Sequence, residues 1–425
     1  MSKIVIEGGY PLCGVIDIQG AKNSILPILA AAYLADGDCV IDNCPDISDT
    51  HAAIEILRAL GSTVTIHGNT VYINSDYACG FEIPDKLMRK MRSSIMFLGA
   101  ILGKKKRALV SFPGGCELGP RPIDIHISAL SKMGVTIREE FGYLDCECKN
   151  IKGAVLDLSF PSVGATENIM LAAVKADGVT VINNAAKEPE IEDLQNFLVK
   201  MGGKISGAGS GRIIIQGVPK LTGTRHSVIP DRIVTATYIC AVAATGGNAL
   251  LKKAEASHLG TLLSFLRESG CEINTYDDAI QVSCDSLKGG HTVRTMPFPG
   301  FATDAQAVCM AMMCKARGST VFIETIFENR YKHVSELLRM GADIKIEGRV
   351  AIVEGSGRLW GAPVVAHDLR CSAALIIAGL AACGTTEISE LQYLDRGYED
   401  IERRLSDVGA QIKRVQINSR EETDV

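Results

Sequence analysis

Six glycines recur along this chain at nearly constant spacing, and each closes a short apolar helix. The segments read ILRALGS, LSKMGVT, FLVKMGG, FLRESGC, LLRMGAD and RLSDVGA, with glycines at Gly61, Gly134, Gly202, Gly270, Gly341 and Gly409. Their separations are 73, 68, 68, 71 and 68 residues. Glycine suits the left-handed position that ends a helix, where a Cβ meets steric strain. So regular a period makes the chain an array of six copies of one unit.

The flanking sequence repeats as well. Before each glycine come an apolar helix, a β-branched strand and an amphipathic helix. The first helices are AKNSILPILAAAYLA, SSIMFLGAILG, ATENIMLAAVKA, DRIVTATYICAVAA, TDAQAVCMAMMCKA and CSAALIIAGLAA. They are apolar nearly all round, which predicts burial on every side. Strands such as CVIDN, VTVINN and STVFIE follow them, and two more short strands follow the glycine in every copy but the sixth. The unit is therefore βαβαββ. The sixth copy lacks its last strand after Gly409. The chain start supplies a match, since KIVIEGGYPLCG at 3–14 resembles RIIIQGVPKLTG at 212–223 and VAIVEGSGRLWG at 350–361. Residues 3–8 are thus expected to pair within the C-terminal half. Six units divide three and three, into a domain over 20–224 and a discontinuous one over 1–19 with 225–425. Two chain crossings would form a hinge that lets the domains close. A continuous solenoid ranks second, because it has no need of the first strand to complete the last unit.

Composition narrows the function. A length of 425 residues exceeds one ordinary core. The formal net charge is -5, and aromatics are 5% with Trp360 the only tryptophan, which disfavours a nucleic-acid or basic membrane-surface binder. No signal segment is expected at the start, and the longest apolar runs are too short to span a bilayer. The 14 cysteines include no CxxC pair, which predicts reduced cytoplasmic thiols. With 8 dispersed histidines, no metal and no cofactor are expected.

Function should lie where the copies differ. The junctions before the first helices carry Lys22-Asn23, Arg92, Ser162–Gly164, Asp231-Arg232, Asp304 and Asp368–Arg370. Helix N-termini bind anions, and converging ends facing each other across two domains would form an anion trap. Plain capping accounts for Asp231 and could extend to Asp304. It does not account for Lys22, Arg92 and Arg370, because cations at a helix start need an anion beside them. The turns before the second helices differ too. NCPDISD, NNAAKEPE and KKAEASH read as ordinary, whereas FPGGCELGPRP, IFENR and QYLDR end in Arg121, Arg330 and Arg396. A lone surface arginine is usually only solvated, but three at one repeat position suit a grip on phosphate and carboxylate. Residues 111–122 hold three glycines, three prolines and Cys116, a composition for a loop that acts as a lid. A lone cysteine is more often inert, but the cation at Arg121 would lower the thiol pKa.

GAKNSILPILAA at 20–31, MRSS at 91–94, PGGCELGPRP at 113–122, SVGATENIM at 162–170, PDR at 230–232, FPGFATDAQ at 298–306, FENR at 327–330, DLR at 368–370 and DRGYEDIE at 395–402 resemble the motifs of UDP-N-acetylglucosamine enolpyruvyl transferases. The resemblance spans nearly the whole chain. It implies an α/β fold of two domains with three βαβαββ units each, which the repeat count reaches separately. It implies two partners, phosphoenolpyruvate and UDP-N-acetylglucosamine, and a place at the first committed step of peptidoglycan precursor synthesis. The sister 5-enolpyruvylshikimate-3-phosphate synthases share fold and chemistry but lack the cysteine lid. A non-catalytic paralogue and an RNA-terminal phosphate cyclase rank below. Lys22, Cys116, Asp304 and Arg396 speak against the first, and the net charge against the second.

By matching motif, the resemblance assigns phosphoenolpyruvate to Lys22, Asn23, Arg121, Arg330, Arg370 and Arg396. It assigns the nucleotide sugar to Arg92, Arg121, Pro122, Ile123, Asp124, Ile125, Ser162, Val163, Gly164, Asp304 and Ile326. Asp304 would be the base, Cys116 the acid and the site of alkylation by fosfomycin, and Lys22 and Arg396 further catalytic groups. Phe160-Pro161 stand where many relatives have a nearby lysine, so the resemblance carries no lysine contact to the diphosphate. Ala302 replaces a common proline.

Overall fold

The structure is a computed structural model, and it describes residues 2–114 and 123–416. Cys116, Arg121 and Pro122 lie outside the described residues. The chain divides into two compact units. Unit A falls within 20–229, and unit B combines the N-terminal segment to Gln19 with the chain from Pro230.

All six repeat glycines have positive φ, from 84° at Gly341 to 105° at Gly409. Each closes the same pair of hydrogen bonds. After the helix Ser48–Ala59, Gly61 N–H donates to Arg58 O at 3.0 Å and Ser62 N–H to Leu57 O at 2.9 Å. The same pair recurs at Gly134, Gly202, Gly270, Gly341 and Gly409. This is the Schellman arrangement, which satisfies carbonyls at a helix end and requires the left-handed residue.

Among the described residues, six sheets accompany the six glycines. In the third repeat, strand Val155–Asp157 pairs in parallel with Val179–Asn183, which pairs antiparallel with Arg212–Gln216, and that with Lys204–Ser206. The N-terminal strand Ser2–Glu7 takes the last place in the sixth sheet, between Thr385–Ser389 and Gln411–Gln416. Its Ile4 and Ile6 are fully buried.

Two strands are exchanged between repeats. Cys13–Asp17 pairs in parallel with Asn248–Lys252 of the fourth repeat, with Cys13 opposite Asn248. Arg225–Ser227 pairs in parallel with Asp38–Asp42 of the first, with Arg225 opposite Val40. Each stands where a strand local to that repeat would stand. The expected boundary at 224/225 is corrected by this exchange to 229/230, because residues 225–227 complete a sheet of unit A.

The apolar helices pack in threes at the centre of each unit. Unit A holds Lys22–Ala32, Phe97–Lys105 and Val163–Ala173, and unit B holds Arg232–Thr245, Thr303–Met313 and Leu369–Ala381. Every residue from Ile233 to Ala244 is buried. Small side chains let the helices approach: a Cβ on Gly99 would sit 2.2 Å from the Asn168 carbonyl oxygen. Among the described residues, no helix is long and apolar enough to cross a membrane.

Candidate active site

In unit A the expected residues gather at helix starts. The helix Lys22–Ala32 is capped by Ala21, which offers no side-chain acceptor. Lys22 Nζ lies 2.7 Å from Asp49 Oδ2, with side chains 12% and 4% exposed. The anion that a cation at a helix start needs is here a carboxylate of the protein. Asp49 ends the segment NCPDISD, which the sequence presented as ordinary, and lies in the first turn of the helix Ser48–Ala59. Asn23 follows Lys22, and Pro27 inside the helix has no N–H for its carbonyl. Ser24 Oγ hydrogen-bonds Asp193, which also meets His226 Nε2 at 2.8 Å and accepts Ile229 N–H at 3.2 Å. The start of this helix is thereby tied to the last residue of unit A.

Among the described nucleotide-sugar candidates of unit A, Arg92, Asp124 and Gly164 lie near His126. Arg92 opens a short 3-10 turn, Arg92–Met96, rather than a regular helix. Asp124 and Ile125 begin the helix Asp124–Lys132, with Ile123 at its cap. Ser162 caps the helix Val163–Ala173 by accepting from Ala165 N–H. A Cβ on Gly164 would lie 3.5 Å from His126 Cε1. Burial, and then the Arg92 guanidinium, push the His126 imidazole down to about 4, so it stays neutral near pH 7. Asn168 Nδ2 holds its Nδ1 at 2.9 Å. A cavity of about 220 Å³ opens between Asp124, Ile125 and residues 156–159.

A second acidic group went unnoticed in the sequence. Glu167 is buried within the helix Val163–Ala173. Burial, and then the Glu190 and Glu188 carboxylates, push its carboxyl well above its usual range. Glu188 and Glu190 come from NNAAKEPE, also presented as ordinary.

In unit B one carboxylate joins two arginines. Asp304 Oδ1 accepts from Arg330 Nη2, and Asp304 Oδ2 accepts from Arg370 Nη2 at 2.7 Å. The arginine side chains are 3% and 11% exposed, and Asp304 is 28% exposed. Capping does not extend to Asp304, because the cap of the helix Thr303–Met313 is Ala302. Asp231 and Asp368 are ordinary caps, each accepting two backbone N–H groups. Burial pulls the Arg370 guanidinium down, but Asp304 overrides it and holds it above its usual value. Arg330 Nε is buried with no hydrogen-bond partner among the described residues. Two desolvated guanidiniums, one with a donor to spare, suit an oxyanion ligand.

Arg396 closes the 3-10 turn Leu391–Arg396. Its neighbour Asp395 is gripped by Arg414 Nη1 and Nη2 at 3.1 and 2.7 Å. After Arg396, the Gln19 side chain donates to Gly397 O at 3.1 Å and accepts Glu399 N–H at 2.9 Å. Ile326 lies in the turn that carries Arg330, where its N–H donates to Glu324 Oε1. A larger cavity of about 330 Å³ opens beside Arg232, His258 and Phe298; Arg232 is one of the junction residues, but none of the residues assigned to either substrate lines it. Among the described residues, no three His, Cys, Asp or Glu side chains form a metal-ligand set.

The chain resembles known proteins along nearly its whole length. Residues 6–405 match the family described as EPSP synthase (3-phosphoshikimate 1-carboxyvinyltransferase). The chain is 50% identical to UDP-N-acetylglucosamine 1-carboxyvinyltransferase 2 of Caldanaerobacter subterraneus subsp. tengcongensis, over 98% of this chain and 100% of that one. It is 46% identical to the UDP-N-acetylglucosamine 1-carboxyvinyltransferase of Solidesulfovibrio magneticus, over 98% and 100%. The crystal structure of the enolpyruvyl transferase NikO from Streptomyces tendae superposes with a TM-score of 0.89 at 25% identity, covering 98% of this chain and 99% of that one. EPSP synthase from Acinetobacter baumannii shares the fold, with a TM-score of 0.79 at 20% identity over 98% and 100% of the chains. With identities near one half over the full length of its relatives, the chain belongs to the UDP-N-acetylglucosamine 1-carboxyvinyltransferase family of enolpyruvyl transferases.

Proposed function

We propose that this chain transfers the enolpyruvyl group of phosphoenolpyruvate to the 3-hydroxyl of UDP-N-acetylglucosamine and releases phosphate, the first committed step of peptidoglycan precursor synthesis. The observation that carries the reading is the Asp304 carboxylate shared by buried Arg330 and Arg370. While both arginines hold it, both Asp304 oxygens are occupied as acceptors. A phosphate or carboxylate competes for the same guanidiniums, so the anionic substrate frees the base as it binds. Asp304 then takes the sugar hydroxyl proton, and the oxygen attacks C2 of phosphoenolpyruvate. Cys116 protonates C3. Phosphate leaves C2, and loss of a proton from C3 restores the double bond.

Arg121, Arg330, Arg370, Arg396, Lys22 and Asn23 grip phosphoenolpyruvate. Arg92, Arg121–Ile125, Ser162–Gly164, Asp304 and Ile326 hold the nucleotide sugar. General acid–base help contributes about 10²–10⁴-fold, so most acceleration comes from positioning and the cationic groups. The reaction belongs to the cytoplasm, where it supplies wall synthesis and so cell shape and division.

The test is phosphate release from phosphoenolpyruvate, with UDP-N-acetylglucosamine, with shikimate 3-phosphate, and with neither. Release that needs UDP-N-acetylglucosamine supports the reading, and release driven by shikimate 3-phosphate alone overturns it. Cys116→Asp is expected to retain turnover and escape fosfomycin, while Cys116→Ser is nearly inactive because a hydroxyl is too weak an acid.

A further inference from the structure

Glu324 follows the strand Arg317–Ile323 and is 1% exposed. Its carboxylate takes three hydrogen bonds from uncharged donors. Oε1 accepts Ile326 N–H at 2.8 Å and Phe327 N–H at 3.0 Å, and Oε2 accepts the Thr303 hydroxyl at 2.9 Å. Burying a carboxylate this deeply is unfavourable unless its lone pairs are satisfied. The three donors come from two separate segments. Ile326 and Phe327 belong to the turn that ends at Arg330, and Thr303 opens the helix that carries Asp304.

The network closes on itself. Arg330 Nη2 donates to the Thr303 carbonyl at 3.3 Å and also binds the Asp304 carboxylate. Its guanidinium lies 5.3 Å from the Phe327 ring centre. The turn is therefore fastened to the helix start at both ends, by Arg330 at one and by Glu324 through Thr303 at the other. A carboxylate fits this place because both oxygens accept and neither donates. It can serve two N–H groups and one O–H at once.

We propose that Glu324 is a positioning residue, which holds Asp304 in register with the turn that bears Ile326 and Arg330. The inference rests on the reading of Asp304 as the base. Glu324 touches no reacting atom, and it acts through Thr303 and the two backbone amides.

The test separates positioning from plain structural support. Thr303→Val keeps the side-chain shape and removes the hydroxyl that reaches Glu324, leaving the Ile326 and Phe327 bonds in place. A displacement of about 1 Å at a reacting group costs up to about 10²-fold, so kcat is expected to fall about tenfold. The KM for phosphoenolpyruvate should stay within about twofold, since none of its proposed ligands is changed. Thr303→Ser restores the hydroxyl and should return most of the lost kcat. Rates come from phosphate release and are normalised to folded protein by circular dichroism. Asp304→Ala is measured beside them. Thr303→Val at parental kcat, with Asp304→Ala inactive, overturns the role of Glu324 alone. Equal losses in the Val and Ser variants overturn it too. An active Asp304→Ala overturns the base assignment, and this proposal with it. If Thr303→Val does not fold, Glu324→Gln carries the test. It keeps the shape and weakens all three charge-assisted bonds, so kcat should drop about threefold at unchanged KM for phosphoenolpyruvate. A parental kcat there refutes the proposal.

Discussion

Replacing Asp304 with alanine tests the centre of unit B without any substrate. Asp304 pairs with two guanidiniums whose side chains are 3% and 11% exposed. Removing one partner of a buried pair costs about 3–5 kcal/mol, because the remaining charge is desolvated and unpaired. The carboxylate is 28% exposed, so water screens part of the interaction and about 3 kcal/mol is the appropriate figure. In a unit of this size each kcal/mol moves Tm by roughly 2–4 °C, which gives a fall of about 6–12 °C. Trp360 is the only tryptophan and lies in unit B, half-exposed, so its fluorescence follows that unit alone. Melts in chloride should show the fall. Inorganic phosphate should reverse much of it by binding the freed arginines, since ligand at 100 times its Kd returns about 2.7 kcal/mol. Asp304→Ala melting within about 2 °C of the parent in chloride, or melting equally in chloride and phosphate, would refute the oxyanion reading of this cluster.

Acidification should destabilise the protein through His126 and His333, both pushed down to about 4 chiefly by burial. A folded-state value below the unfolded one, about 6.5, means that the unfolded chain takes up protons first. Stability is then complete above pH 6.5 and lost as pH falls from there toward 4, by up to about 3 kcal/mol for each histidine. Urea melts across that range should show a shallower loss in His126→Gln and His333→Gln, and an unchanged slope contradicts the assignment. Gly99→Ala should lower Tm by several degrees, because its Cβ would stand 2.2 Å from the Asn168 carbonyl oxygen and overpacking costs about 1–3 kcal/mol. A parental melt would mean that the helices part without strain. Ile6→Ala, in the N-terminal strand, should cost unit B about 2–5 kcal/mol, read again from Trp360 fluorescence. An unaffected unit B would show that the strand is dispensable.

Local requirements were legible in the sequence, because the chain must satisfy them wherever it goes. A helix end needs a left-handed residue, so the six glycines stated the repeat and its period. Helices apolar on every side need burial, so two three-helix centres could be foreseen. The missing sixth strand left unpaired backbone, and the chain start matched it. Partner choice is different, since it depends on which similar surfaces meet. Residues 13–17 and 225–227 both look like the opening strand of a repeat, and nothing local says that they exchange places. Only the assembled sheets place Cys13 opposite Asn248 and Arg225 opposite Val40.

The same division runs through the site. The sequence marked Lys22, Arg330 and Arg370 as cations in need of anions. Tertiary structure brought carboxylates to them, Asp49 from a segment that looked ordinary and Asp304 from a position that looked like a cap. Glu324 carried no signal, since one glutamate after a β-branched strand is unremarkable until its burial and three donors are seen. Residue type and spacing encode what a segment requires of its own backbone and surface. Which charge answers which is settled by distance and desolvation, and those exist only once remote segments have packed together.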